Sequence, residues 1–216
     1  PSASKTMVND AVNSGTGIIN YCGHGSKTSW GTTGFNNSDV EALANNEKQP
    51  WIISVACNNG EFHTGGDCFA EAWLKKEDGG AVTMLASTIS QPWDPPMRGQ
   101  DYFSDILSGG YDYEAHPGQN GISTSEQRSF AGSIVINGFA LMLTESNSSS
   151  DLETVQTWTL FGDPSLQLRT ASAHTLTLSN QTVMAGIPYE TTVSTTSPVE
   201  GAMVTLSQDS SYFSGI

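Results

Sequence analysis

The sequence has few basic side chains and no long apolar run, and each shortage excludes a class of protein. Its 216 residues carry 8 lysines and arginines against 22 aspartates and glutamates, a formal net charge of −14. A surface this acidic repels nucleic-acid phosphates and anionic lipid, so we expect neither as a partner. No apolar stretch approaches the roughly 18 residues that a membrane-spanning helix needs. The sequence therefore predicts a protein without a membrane span.

The cysteines are too few for a disulfide framework. Cys22, Cys57 and Cys68 form an odd set, so at least one thiol is unpaired within the chain, and no pair has zinc-ribbon spacing. Few lysines, many serines, threonines and asparagines, and a β-rich tail favour a secreted protein, extracellular or at the cell surface. The chain opens on Pro1 with a segment typical of the tail of an amphipathic helix, and we expect it to be a piece of a longer protein.

The chain has two parts of different pattern. Up to residue 170, short apolar runs alternate with segments of helical periodicity, which predicts a mostly parallel sheet with helices on both faces. Residues 171–216 alternate apolar with polar and are rich in threonine, serine and valine, as the strands of a β-sandwich are. We expect an α/β domain over residues 1–170, followed by the truncated start of an all-β immunoglobulin-like domain over residues 171–216.

Caps and periodicity place the elements of the first part. The predicted strands are GIINYC, WIISVA and AVTMLAS. The predicted helices are NNSDVEALANNE with Asn37 or Ser38 as its cap, DCFAEAWLKKEDGG with Asp67 at its start, MRGQDYFSDILSGG ending at Gly109, and SEQRSFAGSIVINGFALMLTE as the longest.

His24 and Cys57 follow the ends of two successive predicted strands. Ligand sites of open α/β sheets lie at the carboxyl ends of strands, which are about 4.8 Å apart, so both side chains can reach one crevice. A thiol and an imidazole at such a site form a nucleophile and its base. Gly23 and Gly25 leave a backbone N–H beside the imidazole, and with the N–H of Cys57 it could form an oxyanion hole. A loop histidine and a buried thiol remain the alternative.

Five longer strings carry a resemblance to a known family. The strings are YCGHGSKTSWGTTGF, WIISVACNNGEF, DCFAEAW, ASTISQPWDPPMRGQD and TWTLFGDPSLQLRT. They resemble the catalytic core of gingipains, secreted cysteine endopeptidases that share a caspase-like fold with legumain, clostripain and separase. The similarity spans roughly Ile18 to Thr170. It implies a caspase-like catalytic domain, N-terminally incomplete in this chain, with an immunoglobulin-like domain after it.

The resemblance also implies residue roles. Cys57 would be the nucleophile that forms the acyl-enzyme, and His24 the general base and acid. The N–H groups of Gly25 and Cys57 would form the oxyanion hole. The expected function is hydrolysis of peptide bonds after basic residues, with arginine favoured.

The same resemblance suggests a substrate pocket. In arginine-specific gingipains a valine, a tryptophan and a methionine line the S1 pocket, and Val55, Trp93 and Met97 match those positions. A tryptophan face suits a guanidinium through stacking and cation–π attraction. The acidic residue that orients the histidine in that family, and the carboxylate at the base of S1, lie upstream of the His-Gly motif. Before His24 this chain offers Asp10 alone, which is in the wrong place.

No cofactor is needed for this chemistry, and the metal ligands stay unassigned. Gingipains contain calcium, and Asp67 and Glu71 are candidates to help hold a structural calcium ion. The expected partners are protein or peptide substrates with basic residues, and the rest of a longer cleaved chain. The alternative function is a non-catalytic, peptidase-like scaffold or adhesin part of a large extracellular surface protein.

Several other polar or aromatic residues have structural explanations. His63 is expected in a surface loop, and Trp30 and Trp158 in packing. Asp94 could contact a basic substrate or initiate a turn, since Trp-Asp-Pro-Pro favours turns. Asp163 is expected to cap a turn before the last strand of the domain.

Overall fold

The computed structural model describes residues 3–110, 129–168, 176–179, 188 and 190–195, within two compact units, Pro1–Thr170 and Ala171–Ile216. The first unit contains α1 (Lys5–Ser14), β1 (Ile18–Cys22), β2 (Gly25–Ser26), β3 (Ser29–Trp30), β4 (Phe35–Asn36), α2 (Asn37–Glu41), β5 (Trp51–Val55), α3 (Phe69–Lys75), β6 (Thr83–Ser87), α4 (Asp94–Ser108), α5 (Ala131–Glu145), α6 (Ser149–Thr157) and β7 (Trp158–Gly162). The second contains β8 (Leu176–Leu178) antiparallel to β9 (Val193–Thr195). Apart from residues 179, 188 and 190–192, the rest of the predicted immunoglobulin-like segment lies outside the described residues.

A four-stranded sheet in the order β1-β5-β6-β7 forms the centre of the first unit. β1, β5 and β6 run parallel, and β7 pairs antiparallel with β6. Every residue of β5 and β6 is buried, as the unbroken apolar runs predict for strands covered on both faces. The prediction of an α/β fold with a mostly parallel sheet is confirmed.

Two apolar clusters flank this sheet, and the alternation of side chains along β5 separates them. Ile52 belongs to one cluster, while Trp51 and Ile53 belong to the other. Helices α1, α2 and α3 contribute to the first cluster, and α4, α5 and α6 to the second. The helices therefore cover both faces and leave the carboxyl ends of the parallel strands accessible.

Helix α2 begins earlier and is shorter than predicted. Its cap is Asn36, not Asn37 or Ser38. The Asn36 side chain accepts hydrogen bonds from the backbone N–H groups of Ser38 and Asp39, at 2.9 and 3.3 Å. The Asp39 carboxylate in turn accepts from the Asn36 N–H at 2.9 Å, which completes a capping box. This reciprocal pair places the cap one residue before Asn37 and two before Ser38.

The starts of α3 and α4 also differ from the predictions. Helix α3 begins at Phe69 and not at Asp67, with Cys68 in the cap position. Helix α4 begins at Asp94, one turn before the predicted segment, because two prolines stand in its first turn, where their missing N–H groups have no helical partner. Helix α5 begins at Ala131, after the extended cap residue Phe130, so the predicted start at residue 125 is wrong. Its 15 residues equal those of α4, so it is not the single longest of the described helices. Residues 125–128 lie outside the description.

The sequence did not predict the small antiparallel sheet β2-β3-β4, helix α6 or strand β7. Asp163 caps a turn, since its carboxylate accepts from the Ser165 N–H at 2.8 Å, and this turn follows β7. Beyond the turn Gln167 forms a single β-bridge with Phe130, and residues 169–170 lie outside the description, so a strand after Asp163 stays a prediction. Among the described residues, no helix combines the length and the apolar character that crossing a bilayer requires.

Candidate active site

The ends of β1 and β5 bring His24 and Cys57 to one place. Cys22 and Val55 are register partners on these parallel strands, and each candidate lies two residues beyond its strand end. Both line the same pocket, together with Gln91 and Trp93 from the segment after β6. His24 is exposed and Cys57 half-buried, so the imidazole and the thiol are both accessible to a ligand. Three successive parallel strands thus contribute to one crevice, as the strand-end argument predicts.

The backbone of His24 is held by hydrogen bonds at both ends. Its N–H donates to the Thr32 hydroxyl at 3.2 Å. Its carbonyl accepts from the Gly31 N–H at 2.7 Å and from the Tyr21 hydroxyl at 2.8 Å. Tyr21 is itself fixed by stacking on Trp30 at a centroid distance of 4.6 Å. The backbone of His24 is therefore held in a defined position from which its imidazole extends.

The side chain of His24 contacts one wall of the pocket. Its ring and the Trp93 indole form a T-shaped pair with a centroid distance of 5.6 Å. Trp93 is 50% exposed, so about half of its surface is accessible. Val55 is buried and also lines the pocket. Met97 lies one turn further along α4 and is 44% exposed, outside the lining of this pocket.

Gly25 lies where the segment after His24 passes over the loop that carries Cys57. A Cβ at Gly25 would lie 2.7 Å from the Cβ of Ala56 and 2.7 Å from the carbonyl oxygen of Cys57. Real Cβ atoms do not approach backbone this closely, so only glycine permits the contact. Within the described residues, the N–H of Cys57 donates to no protein acceptor. That N–H is available to a substrate oxygen.

Gln91 is a site residue that the sequence did not reveal. It lines the pocket, its residue surface is 9% exposed, and neither its side-chain oxygen nor its nitrogen has a hydrogen-bond partner among the described residues. The Cys57 thiol approaches its backbone carbonyl at 3.8 Å, as a donor. A buried amide without partners is costly, and a ligand in the pocket can supply them. The signal in the sequence was its position, two residues before Trp93.

The three thiols differ in environment. Cys22, at the end of β1, is exposed, while Cys68 is fully buried, and no disulfide links any of the three. Burial raises the pKa of the Cys68 thiol to about 11, which keeps it protonated and unreactive. Of the three, Cys57 is the one that lines the same pocket as His24.

The remaining candidates lie apart from this pocket. His63 is exposed and packs edge-on against Phe62, and Asp94 is exposed in the first turn of α4. Trp30 and Trp158 are buried, as predicted. Asp10 lies exposed on α1, and within the described part of the chain no carboxylate accepts a hydrogen bond from the His24 imidazole.

Asp67 and Glu71 do not fit a calcium site. Both carboxylates face the Lys75 ammonium, at 2.6 and 3.5 Å. Glu71 also accepts from the Cys68 N–H at 2.9 Å, the main cause of its lowered pKa. Calcium prefers six to eight oxygen ligands and not a cation as neighbour. No group of three or more histidine, cysteine, aspartate or glutamate side chains suited to a metal exists among the residues described.

Comparison with known proteins gives consistent matches over the first unit. A model of peptidase family C25 matches residues 1–169. Gingipain R2 of Porphyromonas gingivalis is 41% identical over 174 residues, which are 79% of this chain and 22% of that protein. Lys-gingipain of the same organism is 31% identical over 106 residues, which are 49% of this chain and 6% of that protein. The chain therefore spans only a fraction of the length of these relatives.

Solved structures show the same similarity in three dimensions. The crystal structure of the Arg-specific cysteine proteinase gingipain R matches with a TM-score of 0.68 and 37% identity, covering 82% of this chain and 40% of that one. A complex of gingipain pro- and mature domains from P. gingivalis matches with a TM-score of 0.67 and 38% identity, over 82% of this chain and 40% of that one. These matches confirm the predicted caspase-like fold class. The immunoglobulin-like part stays a prediction.

Proposed function

This chain belongs to peptidase family C25, and we propose that it supplies the nucleophile and the base of a cysteine endopeptidase. The observation that carries the proposal is the shared pocket of Cys57 and His24 at the carboxyl ends of adjacent parallel strands.

The proposed reaction is acyl transfer through a thioester. His24 takes the proton of the Cys57 thiol, and the thiolate attacks the carbonyl carbon of the scissile bond. The N–H groups of Gly25 and Cys57 stabilise the oxyanion of the tetrahedral intermediate. As the C–N bond breaks, the protonated His24 gives its proton to the leaving amine. Water, activated by His24, then hydrolyses the thioester and restores the thiol.

The pocket walls favour a basic side chain before the scissile bond. The half-exposed indole of Trp93 and the buried Val55 provide a flat and an apolar wall, and stacking on an indole suits arginine better than lysine. The unpartnered amide of Gln91 offers a polar group within the same pocket. Met97, one turn beyond Trp93, is proposed to contact the substrate at the rim. Arginine is therefore the favoured residue, and lysine the second choice.

The wider context follows the relatives. We expect protein or peptide substrates with basic residues, association with other parts of a longer processed chain, and secretion to the extracellular space or cell surface. A structural neighbour is a complex of gingipain pro- and mature domains, which supports the expectation of a second polypeptide bound to the catalytic unit. No cofactor is required by the proposed chemistry.

Peptidyl-arginine and peptidyl-lysine amides test this proposal in the full-length protein. We expect hydrolysis of both with arginine preferred, covalent labelling of Cys57 by an arginyl chloromethyl ketone, and loss of at least about a thousandfold in kcat/KM in Cys57→Ala. Cys22→Ala is the matched control, because it removes an exposed thiol outside the pocket and should leave kcat/KM unchanged. Absence of turnover and of Cys57 labelling would instead favour the scaffold or adhesin alternative.

A further inference from the structure

A fully buried asparagine joins the two segments that carry the proposed dyad. Asn59, two residues after Cys57, is 0% exposed. Its side-chain nitrogen donates to the carbonyl oxygens of Ser26 at 2.7 Å and Ser29 at 3.0 Å. Its side-chain oxygen accepts from the Ser54 hydroxyl at 2.8 Å. We call residues 24–30, with β2 and β3, the histidine hairpin, and residues 56–60 the cysteine loop.

A second buried residue extends this connection. The Ser54 hydroxyl, also fully buried, accepts a hydrogen bond from the indole N–H of Trp30 at 3.0 Å. Trp30 stacks on Tyr21, whose hydroxyl holds the carbonyl of His24. Hydrogen bonds therefore run from the cysteine loop to both strands of the histidine hairpin. Because each donor in this series of hydrogen bonds has an acceptor, the series specifies one relative position of the histidine hairpin's strands and the cysteine loop.

The contact at Gly25 shows that the segments are close. Besides Ala56 and Cys57, a Cβ at Gly25 would meet the side-chain nitrogen of Asn59 at 3.1 Å. The Asn59 amide therefore lies between the hairpin and the loop and bonds both hairpin carbonyls. A side chain at position 59 that does not donate would remove both of these hydrogen bonds, and the hairpin would then be free to shift relative to the loop.

We propose that Asn59 is a positioning residue of the reaction, which sets the separation of the His24 imidazole and the Cys57 thiol by clamping the histidine hairpin onto the cysteine loop. This inference rests on the proposed function. Proton transfer between a base and its nucleophile is sensitive to displacements of about 1 Å, which can cost on the order of a hundredfold in rate. Loss of the Asn59 hydrogen bonds is expected to lower the reactivity of the Cys57 thiol, and not only the free energy of unfolding.

The chain provides a matched control in Asn45. This residue is also 0% exposed, and its amide bridges backbone groups, donating to the Gly80 carbonyl at 2.8 Å and accepting from the Gly80 N–H at 2.9 Å. It lies before β5, at the end of the strand opposite to Cys57. Asn45→Asp and Asn59→Asp therefore make the same chemical change in two buried clamps, of which one joins the proposed dyad.

The experiment measures alkylation of Cys57 by iodoacetamide in the full-length protein, quantified by mass spectrometry of the cysteine-containing peptides. Rates are compared at neutral and alkaline pH for the wild type, His24→Ala, Asn59→Asp, Asn59→Ser and Asn45→Asp. Hydrolysis of an arginyl amide and the thermal unfolding midpoint are recorded for the same samples. Asn59→Ser keeps a small donor and provides a second variant if the aspartate prevents folding.

We expect substitutions at both asparagines to lower the unfolding midpoint. Only the Asn59 variants should slow alkylation of Cys57 at neutral pH, by about tenfold. In the same variants kcat should fall by a larger factor than KM changes. At alkaline pH the rates should converge, because the thiolate then forms without the imidazole. The inference would be overturned, and the dyad left intact, if the Asn59 variants had the wild-type ratio of the alkylation rate at neutral pH to that at alkaline pH. If His24→Ala left this ratio unchanged, the proposed dyad itself would be wrong.

Discussion

Single residues set how closely the two halves of the proposed dyad approach. Gly25 is the residue of the histidine hairpin that lies against the cysteine loop, and Val55 and Trp93 line the adjoining pocket. Gly25 has two proposed tasks, since its N–H is a candidate oxyanion donor and its missing side chain permits the close contact. The close contact of Gly25 with the cysteine loop leads to a prediction that depends on packing and not on the proposed reaction.

Replacing Gly25 by alanine should separate the hairpin from the loop. The added methyl group would overlap the carbonyl oxygen of Cys57, which is backbone and cannot move freely. We expect a loss on the order of a hundredfold in kcat/KM and about 1–3 kcal/mol in the free energy of unfolding. The measurements are arginyl amide hydrolysis and urea denaturation of the full-length protein. Gly65→Ala is the control, because a Cβ there would meet no atom within 4 Å. Wild-type kcat/KM in Gly25→Ala would contradict the close-contact argument.

At the scale of elements, α4 connects the pocket to the rest of the first unit. Its first turn follows Trp93, and two of its side chains bind residues of other elements. Arg98 forms an ion pair with the buried Asp151 at the start of α6, and Gln100 hydrogen-bonds to Asn20 and to the carbonyl of Tyr21 in β1. The indole that faces His24 is therefore carried by a helix with anchors on two other elements.

The carboxylate of Asp151 is an anchor whose strength depends on pH. Burial raises its pKa, but hydrogen bonds from Ser146 and Ser148, aided by the Arg98 guanidinium, outweigh burial and lower the pKa from 3.8 to about 2. A lowered folded-state pKa stabilises the fold above the unfolded value, and this contribution is lost as the pH falls from about 4 towards 2. The folded protein binds the proton less readily than the unfolded chain, so acid favours unfolding.

Asp151→Asn should therefore destabilise the protein near neutral pH, by about 2 kcal/mol, because it leaves the Arg98 charge and two hydroxyl groups without an ionised acceptor. The difference from the wild type should shrink as the pH approaches 2. Urea denaturation over a pH series measures both. Asp163→Asn is the control, since that carboxylate caps an exposed turn and should have a smaller effect. A difference that is constant with pH would contradict the assigned charge effect.

The elements that the sequence predicted correctly are those whose burial follows a simple pattern. β1, β5 and β6 are short apolar runs, and α3 to α5 have periodic apolar faces. Helix α6 was missed because its buried residues, Asp151 and Thr154, are polar. β7 was missed because its pairing with β6 requires a contact between residues far apart in sequence. Hydrophobic periodicity cannot reveal either case.

The candidate site, like the fold, was predictable in part. Strand ends and spacing were sufficient to expect His24 and Cys57 in one crevice, and the resemblance added Val55 and Trp93. Gln91 and Asn59 were not identified, because what distinguishes them is whether a buried amide has partners. That property depends on the packing of several segments and has no signature in local sequence.

At the scale of the whole molecule, the excess of acidic residues suits the proposed substrates. The net charge of −14 creates a negative potential around the chain, which attracts a basic peptide and repels an acidic one. The pocket itself, as far as it is described, contains no carboxylate among its lining residues. The attraction of this chain for a positive substrate is therefore expected to come largely from long-range charge, which salt screens.

Ionic strength should therefore change catalysis for charged substrates only. Raising the salt concentration shortens the screening length from about 30 Å at 0.01 M to about 8 Å at 0.15 M. We expect kcat/KM for a peptidyl-arginine ester to fall by about two- to fivefold over this range, mainly through KM, because encounter is weakened while the chemical step is unchanged. The matched substrate carries citrulline, which has nearly the shape of arginine without its charge, and its slower hydrolysis should depend little on salt. An equal salt effect on both substrates would show that salt acts on the enzyme itself and not on the attraction between the acidic surface and a basic substrate.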